Sequence, residues 1–312
     1  MKILLTTTSF QDTPGKHHEA LKETGFEVDT LRGPVAEDVL LPIIGNYDGV
    51  ICGDDYFTRS VLEKGKASKL KVLSKYGIGL DKIDLSAAEE LGIAVTNCPG
   101  VNHITVAEHT FALILAFYKN IPEEINHTRS GEWTRLIGNE IYGKKLGVAG
   151  LGRIGKEILI RAKVFGMDIY AFDQFVEKEF VEKNKVIVCN TIEELVSTVD
   201  ILSLNMNVNE NNYHIINRAL ITKHSKKNQL IVNTARGELI DESAIIYGLE
   251  NLIIAGYATD VLEKEPMDAN HPFKNMNNVL LTPHIGSRTY ESVERQGAMA
   301  VENLVNELIL KV

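Results

Sequence analysis

Short apolar runs alternate with stretches of helical periodicity along nearly the whole chain. Most of these runs are four to six residues long, as buried β-strands usually are. Strands that alternate with helices are typical of parallel sheets with helices on both faces, so the pattern predicts an α/β fold. The predicted strands form two series: residues 2–6, 26–28, 49–51, 71–73 and 93–95, and then 145–149, 168–172, 201–204, 230–233, 253–257 and 279–282.

Two longer helical patterns stand out from the alternation. Residues 104–118 form an apolar stretch without glycine or proline, which predicts a mostly buried helix. Residues 289–310 carry apolar side chains at helical spacing and predict one amphipathic helix. The chain has 312 residues, more than one hydrophobic core usually serves, so two domains are expected.

Composition and charge narrow the function classes. Hydrophobic residues make up 44% and charged residues 24%, which is typical of a globular protein. The formal net charge of -9 gives no electrostatic basis for binding nucleic acid, and no apolar run is long enough to cross a membrane. The three cysteines are widely spaced, which disfavours a disulfide framework or a metal site. The N-terminus lacks the apolar core of a secretory signal, so we expect a cytoplasmic protein.

A glycine-rich motif gives the first chemical assignment. Gly150, Gly152 and Gly155 form a G-x-G-x-x-G directly after the strand predicted at 145–149 and before a helical pattern. In this setting the glycines permit a tight turn, a close approach of pyrophosphate and close packing of helix on strand. The helix N-terminus supplies N–H groups for the phosphates, so Arg153 and Ile154 are candidate cofactor contacts too.

An acidic residue in the same unit indicates which dinucleotide is bound. Asp173 follows the next predicted strand, 21 residues after Gly152. A carboxylate there accepts hydrogen bonds from the ribose hydroxyls and repels a 2′-phosphate. No basic residue directly follows Asp173, so the sequence predicts NAD rather than NADP as the cofactor.

Three ionisable residues lie near the ends of later predicted strands: Arg236, Glu265 and His284. The carboxyl ends of parallel strands face the ligand crevice in this kind of sheet, so these residues can converge although they are distant in sequence. Taken singly, each has an ordinary structural explanation, and it is the combination with the glycine motif that indicates catalysis.

The full set resembles the D-isomer-specific 2-hydroxyacid dehydrogenase family over nearly the whole chain. The segment 131–135, which ends at Arg135, is most similar to the phosphoglycerate dehydrogenase and hydroxypyruvate reductase branch. The matching segments are residues 77–84, 106–109, 150–155, 233–237, 260–266 and 282–284.

The resemblance implies two doubly wound, Rossmann-like domains with a cleft between them. Residues 1–98 plus 286–312 would form the substrate domain and residues 99–285 the dinucleotide domain. It implies that Arg236 binds the substrate carboxylate and carbonyl, that His284 is the general acid or base, and that Glu265 orients His284. It also implies a homodimer that acts on a small 2-oxo or 2-hydroxy acid.

Further contacts are expected on the same resemblance. Backbone N–H groups of the substrate loop, Tyr76, Gly77, Ile78 and Gly79, would hold the substrate carboxylate. Further cofactor contacts are expected at Thr105, Asn207, Thr234, Ala235 and Asp260, the last near the nicotinamide carboxamide.

The chain also departs from the family pattern. Asn205-Met206-Asn207 stands where members commonly have His-x-Pro. Near the substrate pocket, Asp54 adds negative charge that disfavours a phosphorylated acid, whereas Lys75 and Arg135 favour one, so the substrate stays open. One alternative is an NAD-sensing corepressor module on the same fold. Formate dehydrogenase is a second alternative, which Glu265 disfavours because that enzyme needs no Glu–His pair.

Overall fold

The computed structural model describes residues 1–310. The chain divides into two compact units, one of residues 1–102 together with the chain from Ser287 onward, and one of His103–Gly286. The sequence predicts that the chain passes between the two domains at 98/99 and 285/286. Each unit is a parallel α/β structure, and each is described by itself below.

The first unit is built on a five-stranded sheet with the order β2-β1-β3-β4-β5, in which all neighbours are parallel. Its strands are β1 (Lys2–Leu5), β2 (Glu27–Thr30), β3 (Gly49–Cys52), β4 (Val72–Lys75) and β5 (Ala94–Thr96). Its helices are α1 (Thr8–Asp12), α2 (Lys16–Glu23), α3 (Glu37–Leu40), α4 (Arg59–Lys66), α5 (Leu85–Glu90) and, near the end of the chain, α13 (Tyr290–Val305).

Alternate residues of this sheet enter two separate cores, because successive side chains of a strand point to opposite faces. Leu4, Val50 and Leu73 belong to one core, which buries side chains of α3, α4 and α5. Ile3 and Ile51 belong to the other, which α13 and α2 cover. The prediction of a C-terminal helix at 289–310 is confirmed by α13, which continues as a π-helical turn at Asn306–Leu310.

The second unit is built on a seven-stranded parallel sheet with the order β12-β11-β10-β9-β6-β7-β8. Its strands are β6 (Lys145–Ala149), β7 (Asp168–Phe172), β8 (Ile187–Val188), β9 (Ile201–Leu204), β10 (Gln229–Asn233), β11 (Ile254–Thr259) and β12 (Val279–Leu281). Its helices are α6 (His103–Tyr118), α7 (Ile121–Arg129), α8 (Arg153–Val164), α9 (Lys178–Asn184), α10 (Ile192–Thr198), α11 (Arg218–His224) and α12 (Glu242–Glu250).

Helix α6 confirms the prediction of a mostly buried helix at 104–118. It packs against α8, β10 and β11, and its buried side chains include Phe111 and Ile114. Its second turn thereby lies beneath the strand ends that carry the candidate site. Within residues 1–310, none of the helices is both long and apolar enough to cross a membrane.

Candidate functional site

Most of the predicted site residues lie at the carboxyl edge of the second sheet. The order of its strands reverses at β6, whose neighbours are β7 and β9, and such a switch point is where doubly wound sheets bind ligands. The glycine motif follows β6, and Asp173 follows β7. Arg236 follows β10, Asp260 follows β11 and His284 follows β12.

The turn after β6 has the close packing that a dinucleotide motif requires. Gly150 has φ +103°, and a Cβ there would lie 2.7 Å from the backbone of Asn205. A Cβ on Gly155 would lie only 2.1 Å from the carbonyl oxygen of Gly150. A Cβ on Gly152, by contrast, would meet no atom within 4 Å. Gly152 thus faces open space at the start of α8, as a cradle for pyrophosphate must.

Asp173 is held in place by the glycine turn. Its Oδ2 accepts a hydrogen bond from the backbone N–H of Leu151 at 2.6 Å, and its Oδ1 accepts one from Phe175 N–H at 2.9 Å. The carboxylate is only half-buried, so it keeps accepting capacity toward a ligand. The Asp173 carboxylate is therefore hydrogen-bonded to the glycine turn with which the sequence analysis associates it.

The Asn205-Met206-Asn207 segment contains a polar group that the sequence did not single out. Ser203 Oγ donates to Asn205 Oδ1 at 3.0 Å, which fixes the orientation of the amide. Asn205 Nδ2 is then a buried donor without a hydrogen-bond partner. Asn207, the predicted contact, is exposed, and its carbonyl accepts from the Asn212 amide at 2.7 Å.

His284 and Glu265 form the pair that the sequence predicted. Nδ1 of His284 lies 2.8 Å from Oε2 of Glu265, and each side chain is 37% exposed. The other oxygen of Glu265 accepts from the backbone N–H of Leu262 at 3.0 Å. Because the carboxylate holds Nδ1, the ring presents Nε2 as its second site for a proton.

Arg236 lies in the turn that follows β10, and two hydrogen bonds hold this turn. The Asn233 amide donates to the carbonyl of Arg236 at 2.8 Å, and the guanidinium donates to the carbonyl of Ala235 at 2.7 Å. A Cβ on Gly237 would lie 1.9 Å from the carbonyl carbon of Leu262. The arginine turn is therefore packed directly against the segment that leads to Glu265.

Asp260 lies at the base of the His284 turn and is 3% exposed. Burial alone would raise the pKa of its carboxyl group. Hydrogen bonds from the side chains of His109 and Thr282 and from the N–H groups of Ile285 and Gly286 outweigh burial and hold the pKa below its usual value. Asp260 is therefore a buried carboxylate that stays ionised.

Both predicted threonine contacts involve helix α6, one from outside the helix and one on it. Thr234 Oγ1 lies 2.9 Å from Thr110 Oγ1 on this helix. Thr105 is on the same helix, one turn earlier, and is 5% exposed.

The substrate loop, Tyr76–Gly79, belongs to the first unit and follows β4. The carbonyl of Gly77 accepts from Cys98 N–H at 2.8 Å, and the carbonyl of Ile78 accepts from the Asn97 amide at 2.8 Å. In a trans peptide the C=O and the next N–H point in opposite directions. The N–H groups of Ile78 and Gly79 consequently point away from Cys98 and Asn97.

Lys75, just before this loop, is already engaged. Its ammonium lies 2.6 Å from both the Asp54 carboxylate and the carbonyl of Gly53, and its side chain is 5% exposed. The neighbouring Asp55 is fully buried and accepts from Val35 N–H and Gly53 N–H. Burial raises the pKa of Asp55 despite these bonds.

Sequence reasoning missed the roles of His109 and Asn205. His109 lies in a segment that matched the family, but its partner Thr282 is 173 positions away, so the spacing carries no local signal. For Asn205, the departure from His-x-Pro was the available signal, and its buried Nδ2 is visible only in the folded chain.

The chain is similar to several characterised groups of proteins. It is 40% identical to D-3-phosphoglycerate dehydrogenase of Methanocaldococcus jannaschii over 306 residues, 97% of this chain and 57% of that protein. It is 33% identical to glyoxylate reductase of Korarchaeum cryptofilum, covering 91% of this chain and 87% of that protein. The chain thus spans only about half the length of the phosphoglycerate dehydrogenase, but nearly the whole glyoxylate reductase.

Solved structures and a family model agree with this similarity. The apo-structure of D-lactate dehydrogenase from Escherichia coli has a TM-score of 0.86 and 30% identity, covering 98% of this chain and 96% of that one. Residues 111–286 match the model of the NAD binding domain of D-isomer specific 2-hydroxyacid dehydrogenases. The chain therefore belongs to the D-isomer specific 2-hydroxyacid dehydrogenase family.

Proposed function

We propose that the protein interconverts a small D-2-hydroxy acid and its 2-oxo acid with NAD as the hydride carrier. The observation that carries this proposal is the His284–Glu265 pair, held at 2.8 Å on the sheet edge that also bears the glycine motif. An imidazole fixed by a carboxylate is suited to move a proton to and from a carbonyl oxygen.

In the reductive direction, NADH, when bound, would supply the hydride that the carbonyl carbon accepts. Arg236 binds the substrate carboxylate and polarises the carbonyl, because its guanidinium is a permanent, planar donor. His284 donates the proton that the carbonyl oxygen requires, and Glu265 stabilises the imidazolium that precedes this transfer. In the oxidative direction, neutral His284 takes the hydroxyl proton as a general base.

The second unit is the proposed dinucleotide domain. Gly150, Gly152 and Gly155 would hold the pyrophosphate at the start of α8, with Arg153 and Ile154 in its first turn. Asp173 would accept from the adenosine ribose. Secondary contacts are proposed at Thr105, Asn207, Thr234 and Ala235.

The first unit is the proposed substrate domain. The N–H groups of Ile78 and Gly79 would supply an anion site of the kind that backbone amides make for carboxylates. The loop Tyr76–Gly79 would hold the substrate carboxylate through these groups.

We further propose a homodimer. The segment 130–142 lacks regular structure and exposes large apolar side chains, with Trp133 83%, Ile137 95% and Tyr142 76% exposed. Several large apolar side chains exposed within one short segment favour a protein interface there. Light scattering should give twice the chain mass for the wild type and a smaller mass when Trp133 and Ile137 are both replaced by serine.

A cytoplasmic location is also proposed. Cys52, Cys98 and Cys189 are all buried and free of disulfides, as is usual in a reducing compartment.

An NAD-sensing corepressor module is the alternative function of another class, and the residues of the site are compatible with both.

Steady-state turnover tests the proposal. NADH oxidation is followed with glyoxylate, pyruvate, hydroxypyruvate and phosphohydroxypyruvate in parallel. We expect at least one acid to be reduced, with the D-isomer of the product where the product is chiral. Absence of turnover with every acid would favour the corepressor alternative.

A further inference from the structure

The Asp260 carboxylate has four hydrogen-bond donors around it. Its Oδ1 accepts from Thr282 Oγ1 at 2.6 Å and from Ile285 N–H at 2.9 Å, and its Oδ2 accepts from Gly286 N–H at 2.7 Å. Nε2 of His109 lies 3.3 Å from Oδ1. Oδ1 thus has three of these donors within 3.3 Å, whereas Oδ2 has one and keeps a further acceptor position. Asp260 is 3% exposed, so these donors hold a buried charge.

Hydrogen counting assigns a proton to Nε2 of His109. This nitrogen lies 3.0 Å from Thr282 Oγ1, and the single hydroxyl proton of Thr282 is committed to the shorter bond with Asp260. The threonine oxygen can then only accept, so Nε2 of His109 must donate. His109 thus closes a three-membered network with Asp260 and Thr282.

The ring of His109 also fills space beside the last residue of the unit. A Cβ on Gly286 would lie 3.4 Å from Cδ2 of His109 and 2.9 Å from Oδ2 of Asp260. The backbone of Gly286 therefore sits directly against the network, at the point where the chain leaves the second unit.

This network holds the turn that carries His284. His284 has φ +53°, a left-handed conformation that a non-glycine residue seldom adopts. Its N–H donates to the carbonyl of Asp260 at 2.8 Å. The network fixes Thr282 on one side of the turn and Ile285 on the other, so His284 is anchored from both directions.

We propose that His109 is a positioning residue, which acts through Asp260 and Thr282 to hold His284 in the orientation that meets Glu265. The proposal rests on the proposed function, in which His284 moves the proton. It also gives Asp260 the role of anchoring the turn, alongside the cofactor contact that the family resemblance implies. Loss of the anchor should slow the proton step and leave cofactor binding unchanged.

The first test compares two substitutions of His109. His109→Phe keeps a ring of similar shape but has no donor, whereas His109→Gln places an amide N–H near the position of Nε2. A displacement of about 1 Å at a reacting group can cost roughly 100-fold in rate. We expect His109→Phe to lower kcat by about 10- to 100-fold, and His109→Gln to remain within about threefold of the wild type. The Kd for NADH, from fluorescence titration, should change less than about threefold in both.

A double-mutant cycle separates positioning from a general structural effect. In the background of His284→Ala, His109→Phe should change kcat by less than about threefold, because the group that it positions is gone. An undiminished effect in that background would overturn the proposal, as would equal losses of kcat in His109→Phe and His109→Gln.

His271→Phe is the matched control. His271 forms a similar hydrogen bond with Glu242 in the same unit, at 3.0 Å and with a side chain 14% exposed, compared with 17% for His109. Its substitution should lower the melting temperature without the loss of kcat. If His109→Phe does not fold, Thr282→Val removes the hydroxyl from the same network, and the same outcomes apply.

A measurement that needs no turnover keeps this inference distinct from the proposed function. The rate at which diethyl pyrocarbonate modifies His284, read by mass spectrometry, reports its environment directly. It should change at least about threefold in His109→Phe and stay constant in His271→Phe. An unchanged rate in His109→Phe would overturn the inference even if the enzyme reduces 2-oxo acids as proposed.

Discussion

Cofactor choice follows from one carboxylate, Asp173. It lies at the carboxyl end of β7, is half-buried, and is anchored by the N–H groups of Leu151 and Phe175. The 2′-phosphate of NADP would have to approach this fixed charge. Two unit charges 4 Å apart at a protein surface repel by about 4 kcal/mol, and partial exposure reduces this to roughly 2–3 kcal/mol. NADP also forfeits a charged hydrogen bond to the ribose, worth about 1.5–3 kcal/mol.

Together these effects favour NADH over NADPH by at least about 3.5 kcal/mol, or roughly 300-fold in kcat/KM. Asp173→Asn removes the charge but keeps an oxygen that can accept from one of the two N–H groups, so the turn should survive. We expect the preference to fall to about 30-fold or less, mainly through better use of NADPH.

The assay is kcat/KM for both cofactors with one 2-oxo acid at saturation. Asp168→Asn is the control, because Asp168 is an exposed aspartate at the amino end of the same strand. It should leave the preference unchanged. A wild type that uses both cofactors within tenfold of each other, or equal effects of the two substitutions, would refute the reasoning.

Four further predictions concern the rest of the site. Gly155→Ala should weaken NADH binding by at least about tenfold in a fluorescence titration, because its Cβ would lie 2.1 Å from the Gly150 carbonyl oxygen; unchanged binding would contradict this packing. Glu265→Gln should lower kcat for reduction by about tenfold. It should also move the decline of kcat/KM with rising pH to lower pH, since the imidazolium loses its carboxylate. A decline at the same pH in both enzymes would mean that Glu265 has only a structural role. Asp260→Asn should lower the melting temperature most above about pH 5, with the difference shrinking as pH falls, because a depressed pKa stabilises the fold only while the group is ionised; a constant difference would contradict this. Arg135→Ala should raise KM for an acid with an anionic tail and leave glyoxylate unchanged; equal changes would make Arg135 structural.

Most strands could be predicted because buried parallel strands are continuous apolar runs. The central strands of both sheets are of this kind, and the predicted 201–204 coincides with β9. The edge strand β8 was missed, because Ile187 and Val188 are only two residues and are 52% and 37% exposed. Strand ends also shifted by one or two residues: Thr6, the predicted end of the first strand, lies outside β1.

The candidate site was predictable where its chemistry is carried by residue type and motif. Glu265 and His284 were paired on that basis, and their side chains do meet. The anchor of His109 and Asp260 could not be predicted in this way. The partners of this buried carboxylate come together only in the folded chain, since they lie in two distant segments, helix α6 and the turn 282–286.

The central claim is that His284 moves the proton in an NAD-dependent reduction of a 2-oxo acid. The most direct test is stopped-flow oxidation of enzyme-bound NADH by the best 2-oxo acid, with wild type and His284→Ala compared at equal saturation. The account predicts that the rate constant falls by roughly 10²–10⁴-fold, while the Kd for NADH stays within about threefold. A His284→Ala enzyme that oxidises NADH at the wild-type rate would contradict it.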